Sequence, residues 1–329
     1  MRRGFTLLAC LLPGLTLLAC TERTEPAATG QALGPRQPPA DGARVRLLEP
    51  GAESRRTLRY RFAAQEKRSL ELALDSSLKL SAGSIDLPEV QVPTLKLVVG
   101  LAPGPAQADG SMRFALRLEK AEALALDGLP PHMLEAMRSE LAGFVGLTGS
   151  CLVDAWGLTL EADAALPPTA APKHLEDQAE ELRQLLRQLA VPLPEEPVGV
   201  GARWEVRRTL AWEWLRIGAE IHAYRGEQTA VYRLTALDGD RLELALELSR
   251  TFPAQALMAD NPMGSPGTLD ALESKGSGLA VVDLRSPVPE ASLGLETHKR
   301  MTGYPRGRDG PGRVSSTDST LKLTLKVLH

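Results

Sequence analysis

The feature that most constrains this chain is a period-2 alternation of apolar and polar residues that recurs from one end to the other. Leu58, Tyr60 and Phe62 alternate with Arg59 and Arg61; Leu70, Leu72 and Leu74 with Glu71 and Ala73; Phe114, Leu116 and Leu118 with Ala115 and Arg117. Later come Leu242, Leu244, Leu246 and Leu248, then Leu321, Leu323, Leu325 and Val327. Successive side chains of a strand point to opposite faces, so each run predicts a strand with one face on a core and one in water. Asp109-Gly110, Asp127-Gly128 and Asp238-Gly239-Asp240 separate such runs with turn chemistry. An antiparallel, largely meandering sheet follows.

Two segments carry a helical period instead. Met133, Leu134, Met137, Leu141 and Phe144 recur at helical spacing between Pro131 and Val145, with prolines before and Gly146 after. Between Pro172 and Ala190, Leu175, Ala179, Leu182, Leu185, Leu186 and Leu189 form a stripe. Acids lie early there (Glu176, Asp177, Glu180, Glu181) and Arg183 and Arg187 late, which complements the helix dipole. The predicted class is therefore mainly β, within α+β: a curved antiparallel sheet or half-barrel with two amphipathic helices packed on it.

The order of elements also repeats. Each half opens on a long hairpin (58–80, then 203–223) and passes an alternating pair around an Asp-Gly turn. Each then reaches a Gly-rich strand, Gly149-Ser-Cys-Leu-Val-Asp154 in the first and Gly276-Ser-Gly-Leu-Ala-Val-Val-Asp283 in the second. This predicts two related β-rich halves, 57–168 and 198–329, joined by a helical connector over 169–197. Ahead of them, residues 20–56 read as a tether: from Thr21 to Ala43 the chain is rich in Pro, Gly, Ala and charge and has no apolar period. A flexible coil of roughly 34 residues, out to Ser54, reaches about 30–35 Å. The Pro/Gly-rich stretch 253–278 reads as a long loop carrying Met258, Met263 and Leu269, and 299–313 as a solvated basic loop.

The first 20 residues resemble the signal of bacterial lipoproteins. Arg2 and Arg3 precede an apolar run from Phe5 to Leu18, and Leu17-Leu18-Ala19-Cys20 matches the lipobox, with cleavage after Ala19. The resemblance implies residues 1–19 as signal peptide and Cys20 as the acylated residue, carrying palmitate-type chains that hold the protein in the membrane. The same tetrapeptide at Leu7 to Cys10 leaves an apolar segment of about five residues, short of the ~7–15 that a signal needs. A spanning helix is disfavoured because Pro13 and Gly14 interrupt a run already shorter than ~20 residues. Thr21, a residue other than Asp after the cysteine, points in well-studied Gram-negative bacteria to the outer membrane, facing periplasm or cell surface.

The run Pro197-Val198-Gly199-Val200-Gly201-Ala202-Arg203-Trp204 resembles the Pro-Val-Gly-x-Gly-x-x-Trp segment of a family of secreted bacterial lipoproteins of unassigned function. Similar proteins share an opening strand like Leu58-Arg-Tyr-Arg-Phe62 and the Gly-x-x-x-x-Asp strand. That resemblance covers most of 57–302 and implies a secreted β-rich domain without assigned catalytic residues. A nucleotide loop is excluded at Gly199 and Gly201, because Trp204 stands at the third-glycine position and a strand, not a helix, follows. A tight turn that delivers Trp204 to the core is the physical alternative.

The chain has 38 basic and 41 acidic residues, and removal of 1–19 takes Arg2 and Arg3, leaving a formal charge of −5. Such a balance offers no footprint for nucleic acid, so no nucleic-acid partner is expected. Membrane attachment falls to the acyl chains on Cys20. Cys151 then has no partner for a disulfide and no neighbouring cation in sequence to activate it, which reads as a buried structural thiol. His132, His174, His222, His298 and His329 are isolated, and no metal-ligand spacing or Gly-x-Ser-x-Gly elbow occurs. No metal or cofactor is expected. Trp156, Trp212 and Trp214 could form a carbohydrate platform, but an aromatic content of 4% favours core or interface roles.

These readings converge on a membrane-anchored, non-enzymatic binding or interaction module, with an apolar ligand or another envelope protein as partner. The alternatives are a structural or assembly factor that contacts another envelope protein, and a hydrolase whose catalytic residues are dispersed. His174, His222 or His298 beside a carboxylate and a nucleophile would mark the last.

Overall fold

The computed structural model describes residues 39, 42–62, 67–165, 183–184, 186–212, 222–259, 267–303 and 312–328. Their strands are β1 (Arg44–Glu49), β2 (Arg68–Ala82), β3 (Ile85–Asp86), β4 (Val90–Ala106), β5 (Met112–Ala123), β6 (Thr148–Val153) and β7 (Thr159–Ala165). The second half of the chain adds β8 (Arg203–Trp212), β9 (His222–Asp238), β10 (Arg241–Phe252), β11 (Gln255–Ala259), β12 (Gly267–Asp283), β13 (Glu290–Gly303) and β14 (Arg313–Leu328). One helix, α1 (Pro131–Ala142), lies between β5 and β6.

All of the strands belong to one antiparallel sheet in the order β1-β8-β9-β10-β12-β13-β14-β2-β4-β5-β6-β7, with β11 and β3 paired off this path. The end strands β1 and β7 do not pair with each other, so the sheet is open. Alternation drives each ladder: in β10, Leu242, Leu244 and Leu248 are buried while Arg241, Glu243 and Glu247 are exposed. The chain thus forms two meanders, β8 to β14 and β2 to β7, that join where β14 pairs with β2 along 14 residue pairs from Ser315↔Ala82 to Leu328↔Ser69.

Strand directions sort the connections into two ends. The turns that follow β4, β6, β9 and β12 gather at one, here the turn end. The β2–β4 hairpin tip and α1 lie at the other, the tip end.

At the turn end the sheet curls. The Tyr60 amide donates to Ala155 O (2.8 Å) in the β6–β7 turn, and the next amide, Arg61, donates to Leu284 O (2.7 Å) in the β12–β13 turn. Those two turns are six strands apart in the sheet order. In a flat sheet they would be separated by about 29 Å, at ~4.8 Å per strand. Neighbouring residues of one chain are only ~3.8 Å apart, so the turns must approach each other across the concave face.

One large core fills that face. Phe114, Met112 and Leu101 from the first meander and Val206, Leu234, Leu244 and Val282 from the second belong to a single buried cluster. Leu58, Tyr60, Leu193 and Val198 lie between them. A smaller cluster, Leu74, Leu95, Ala123 and Leu141, sits under α1. Another, toward the tip end, contains Leu210, Phe252, Leu257, Leu269, Leu272 and Met301. Pro131 at the first position of α1 and Gly143 at its C-terminus bound the helix.

Five expectations from sequence meet the structure here. The described residues hold one α-helix where two were expected. The second, over 172–190, falls largely outside the described residues, although Arg183, Gln184, Leu186 and Arg187 have helical backbone. Residues 44–49, inside the span read as a 20–56 tether, form β1 against β8 because Val45 and Leu47 alternate with Arg44 and Arg46. Residues 58–62 are extended but join no ladder, so the first hairpin, expected over 58–80, is absent. Leu58, Tyr60 and Phe62 are buried between the meanders instead. The stretch read as a 253–278 loop contains β11 and most of β12, and Lys299 and Arg300 lie within β13.

Candidate functional site

Of the residues singled out in the sequence, Ala19, Cys20, His174, His329, Met263 and Trp214 lie outside the described residues, as do the side chains of Trp212, His222 and Met258. The Pro197 to Trp204 segment is fully described. Val198 forms a bridge with Arg56, the Gly199 amide donates to Pro50 O (2.9 Å) and the Ala52 amide to Val200 O (2.8 Å). A Cβ on Gly199 would stand 2.2 Å from Ala52 O, so only glycine allows the two backbones to lie this close. The turn ends in Trp204, which is fully buried, stacks on Tyr232 at 5.7 Å and donates its indole N–H to Pro192 O (2.8 Å).

Around Trp204 an inner strap, Leu58 to Phe62 and Val191 to Trp204, is held by the same kind of bond. The Tyr60 hydroxyl donates to Val191 O (3.1 Å), the Leu193 amide to Trp156 O (2.8 Å), and the Arg59 guanidinium lies 4.3 Å from the Trp156 ring. Burial pushes the Tyr60 hydroxyl far above its ordinary value, against the weaker opposing effect of its bond to Val191. It is a permanent donor. Tyr60 also stacks on Phe62 (5.2 Å), which meets Phe114 edge-on (5.2 Å). Gly199 and Trp204 therefore have packing roles in this turn, while Pro197 and Gly201 are exposed beside them.

The interior also carries a polar layer that local sequence did not reveal. Arg208, Gln228, Ser274 and Thr297 are buried on the concave faces of β8, β9, β12 and β13. Arg250 Nε donates to Gln228 Oε1 (2.7 Å), Gln228 Nε2 to Gln188 Oε1 (3.0 Å), and the Ser274 and Thr297 hydroxyls pair at 2.9 Å. Each is an isolated polar residue in an apolar-periodic strand. Only register aligns them into one row.

Among the described residues, the convex face holds a constellation with a catalytic look. His298 Nδ1 and Asp318 Oδ1 are 2.6 Å apart across β13 and β14, at the edge of a recess of about 380 Å3 whose other lining includes Ser77, Lys79, Glu273 and Thr320. Register continues the pair into a row of alternating polarity, Glu273↔His298↔Asp318↔Lys79, beside Lys275↔Glu296. Both members are about half exposed. A hydrolytic triad needs a hydroxyl on the imidazole. The Ser77 and Thr320 hydroxyls here bond each other (2.9 Å), one register row away. The geometry is that of a cross-strand hydrogen-bonded pair on a solvated sheet face, worth little to stability.

Cys151 is fully buried, and burial pushes its thiol up to about 12, with only a small opposing influence from Arg113. The native thiol is expected to resist a maleimide at neutral pH and to react at the rate of unfolding; mass spectrometry of timed alkylation measures this. Among the described residues no group of three or more His, Cys, Asp or Glu could hold a metal, and no helix is long and apolar enough to cross a membrane.

Asp283 is one of the described carboxyls whose ionised form the fold favours. Burial pushes its carboxyl up, but Arg285, which donates through Nε (2.9 Å), Nη2 (2.8 Å) and its amide (3.0 Å), outweighs that and holds it below the ordinary carboxylate range. A depressed folded-state pKa gives stability that is complete above the unfolded value of about 3.9 and is lost as pH falls through the folded one. Stability measured from about pH 6 to pH 2 should fall less steeply in Asp283→Asn than in the wild type.

No family model matches the chain, and no curated protein matches it. Among solved structures, the InvG secretin domain β-barrel from the Salmonella SPI-1 injectisome NC-base is similar at 12% identity, over 80% of this chain and 62% of that one, with a TM-score of 0.16. This chain spans less than two thirds of that structure's length, and a likeness at this level carries no argument about fold or function.

Proposed function

We propose that this chain is a lipid-anchored protein of the cell envelope, held through Cys20, whose β-rich part is a non-enzymatic binding or interaction module. One observation carries the reading: the concave face around the turn end is occupied by the chain's own strap, Leu58 to Phe62 and Val191 to Trp204. Interaction is left to the convex face, the open edges and the tip end. An apolar ligand would have to lie on the concave face beyond the strap, near Leu74, Leu95 and Leu141 under α1.

The finer architecture in this reading is a half-barrel of two related halves, with β2, β4, β5, β6 and β7 corresponding to β8, β9, β10, β12 and β13. The turns after β6 and β12 support it. Asp154 Oδ1 accepts the amides of Trp156 (2.9 Å) and Leu158 (2.8 Å), and Asp283 Oδ1 accepts that of Arg285 (3.0 Å). The residue after each aspartate then receives one strap amide, from Tyr60 and Arg61 in turn. The strap occupies the place where the two halves would meet.

Native mass spectrometry of the protein extracted from membranes tests the reading, together with in-cell crosslinking. An interaction module should show only its acylated mass and recover one specific envelope protein; co-purifying lipid would favour the apolar-ligand version. Ester or amide hydrolysis that disappears in His298→Ala would overturn the non-enzymatic assignment.

A further inference from the structure

The recess beside His298 owes its shape to two small side chains. On the convex faces of β13, β14 and β2, one register row reads Glu296, Thr320 and Ser77, and the next reads His298, Asp318 and Lys79. Thr320 and Ser77 are short where their neighbours are long, and their hydroxyls bond each other (2.9 Å). The result is a hollow of about 380 Å3 with hydroxyls on its floor.

The rim of that hollow carries charges of both signs that the fold does not join. Lys275 is directly opposite Glu296, and Lys79 opposite Asp318. Opposite charges so placed attract each other across the strands. Among the described residues, however, Lys79, Lys275, Glu273 and Glu296 make no ion pair and no side-chain hydrogen bond. The other two carboxylates are occupied: Asp318 meets His298 Nδ1 (2.6 Å), and Glu89, on the hairpin side, accepts from Gln91 Nε2 (3.4 Å). Lys79 is therefore the charge left open on the β2 side. The β12–β13 side is net acidic, Glu273 and Glu296 against Lys275.

Distance narrows what could bridge the two sides. Lys79 and Glu296 lie two strands apart and one row along, so their Cα atoms are about 12 Å apart, at ~4.8 Å per strand and ~3.4 Å per residue. The ammonium and carboxylate of one amino acid are far closer together than that. An extended chain covers ~3.3–3.6 Å per residue, so about two or three residues carry ionised termini across the hollow once both side chains lean inward.

Building on the reading that interaction is left to the convex face, we propose that this recess binds a short zwitterionic peptide, its carboxylate at Lys79 and its ammonium group at Glu296. The Thr320 hydroxyl and His298 Nε2 supply hydrogen bonds to its backbone. The charged contacts are exposed, so binding is weak, in the high micromolar to millimolar range, and falls as salt rises.

The test uses full-length protein in a non-ionic detergent and trialanine as the probe, followed by saturation-transfer NMR. N-acetyl-trialanine and trialanine amide each lack one terminal charge. Trialanine should bind saturably, and each blocked form about fivefold more weakly. Lys79→Glu and Glu296→Lys should each remove detectable binding, and the double variant, which exchanges the two charges, should restore part of it. Both positions are exposed, and unchanged thermal unfolding checks that the fold is kept. Equal binding of the blocked forms, no binding at millimolar trialanine, or a double variant no better than the single ones would overturn the proposal. Failure of trialanine to bind sinks this site alone and leaves the interaction-module reading to the crosslinking experiment. Release of free alanine that stops in Lys79→Glu would refute the non-enzymatic reading and uphold the site.

Discussion

Trp204→Ala is expected to cost about 3–5 kcal/mol, the usual price of truncating a buried tryptophan, and to leave the carbonyl of Pro192 without its donor. Against a total stability of about 5–15 kcal/mol for a domain, such a loss brings the fold close to its threshold. The ring is fully buried, stacks on Tyr232 and ends the turn that places Gly199 against Ala52. Its loss loosens β8, β9 and the strap together. Chemical denaturation followed by circular dichroism measures the effect. Trp204→Phe, which keeps most of the packing but not the N–H, should recover more than half of it.

Gly157→Ala is expected to cost about 2–5 kcal/mol, a large effect for one added methyl group. Gly157 has φ +79°, in the left-handed region, where a side chain costs roughly 1–2 kcal/mol. Its Cβ would also stand 2.4 Å from Val191 O and 2.7 Å from the Tyr60 ring, and overpacking adds about 1–3 kcal/mol. The clash falls where the β6–β7 turn meets the strap. Unfolding of this variant should be faster as well as more favourable. Gly239→Ala shares the left-handed backbone, φ +51°, but has nothing within 4 Å of its Cβ. It should cost only the conformational part, which separates the two contributions.

How much of this was legible in the sequence depended on whether the signal was local. The strands with strict alternation, β2, β5, β10 and β14, could be read directly, because a period of two has one structural meaning when one face is buried. Leu58, Tyr60 and Phe62 show the limit of that logic. They alternate as a strand does and face a core as a strand does, but periodicity says nothing about whether a neighbour offers hydrogen bonds, and here the partners are turn carbonyls. β1 was hidden because six residues with three apolar positions, of which Leu48 breaks the alternation of Val45 and Leu47, are short beside a Pro/Gly-rich stretch. β12 was read in part as loop because Gly267, Gly276 and Gly278 dilute its pattern.

The recess lay beyond local reading for a different reason. His298 and Asp318 are 20 residues apart and meet only through the β13–β14 register. Asp318 stands between Thr317 and Ser319, with nothing nearby to mark it. The polar layer of Arg208, Gln228 and Ser274 was invisible for the same reason, since each residue takes its meaning from the strand beside it.

The central claim, a module held in the membrane by an acylated Cys20, is tested most directly by metabolic labelling of the full-length chain with a palmitate analogue. Wild-type and Cys10→Ala chains should incorporate label equally and fractionate with membranes, and Cys20→Ala should incorporate none. Persistent labelling of Cys20→Ala, or its loss in Cys10→Ala, would contradict the account.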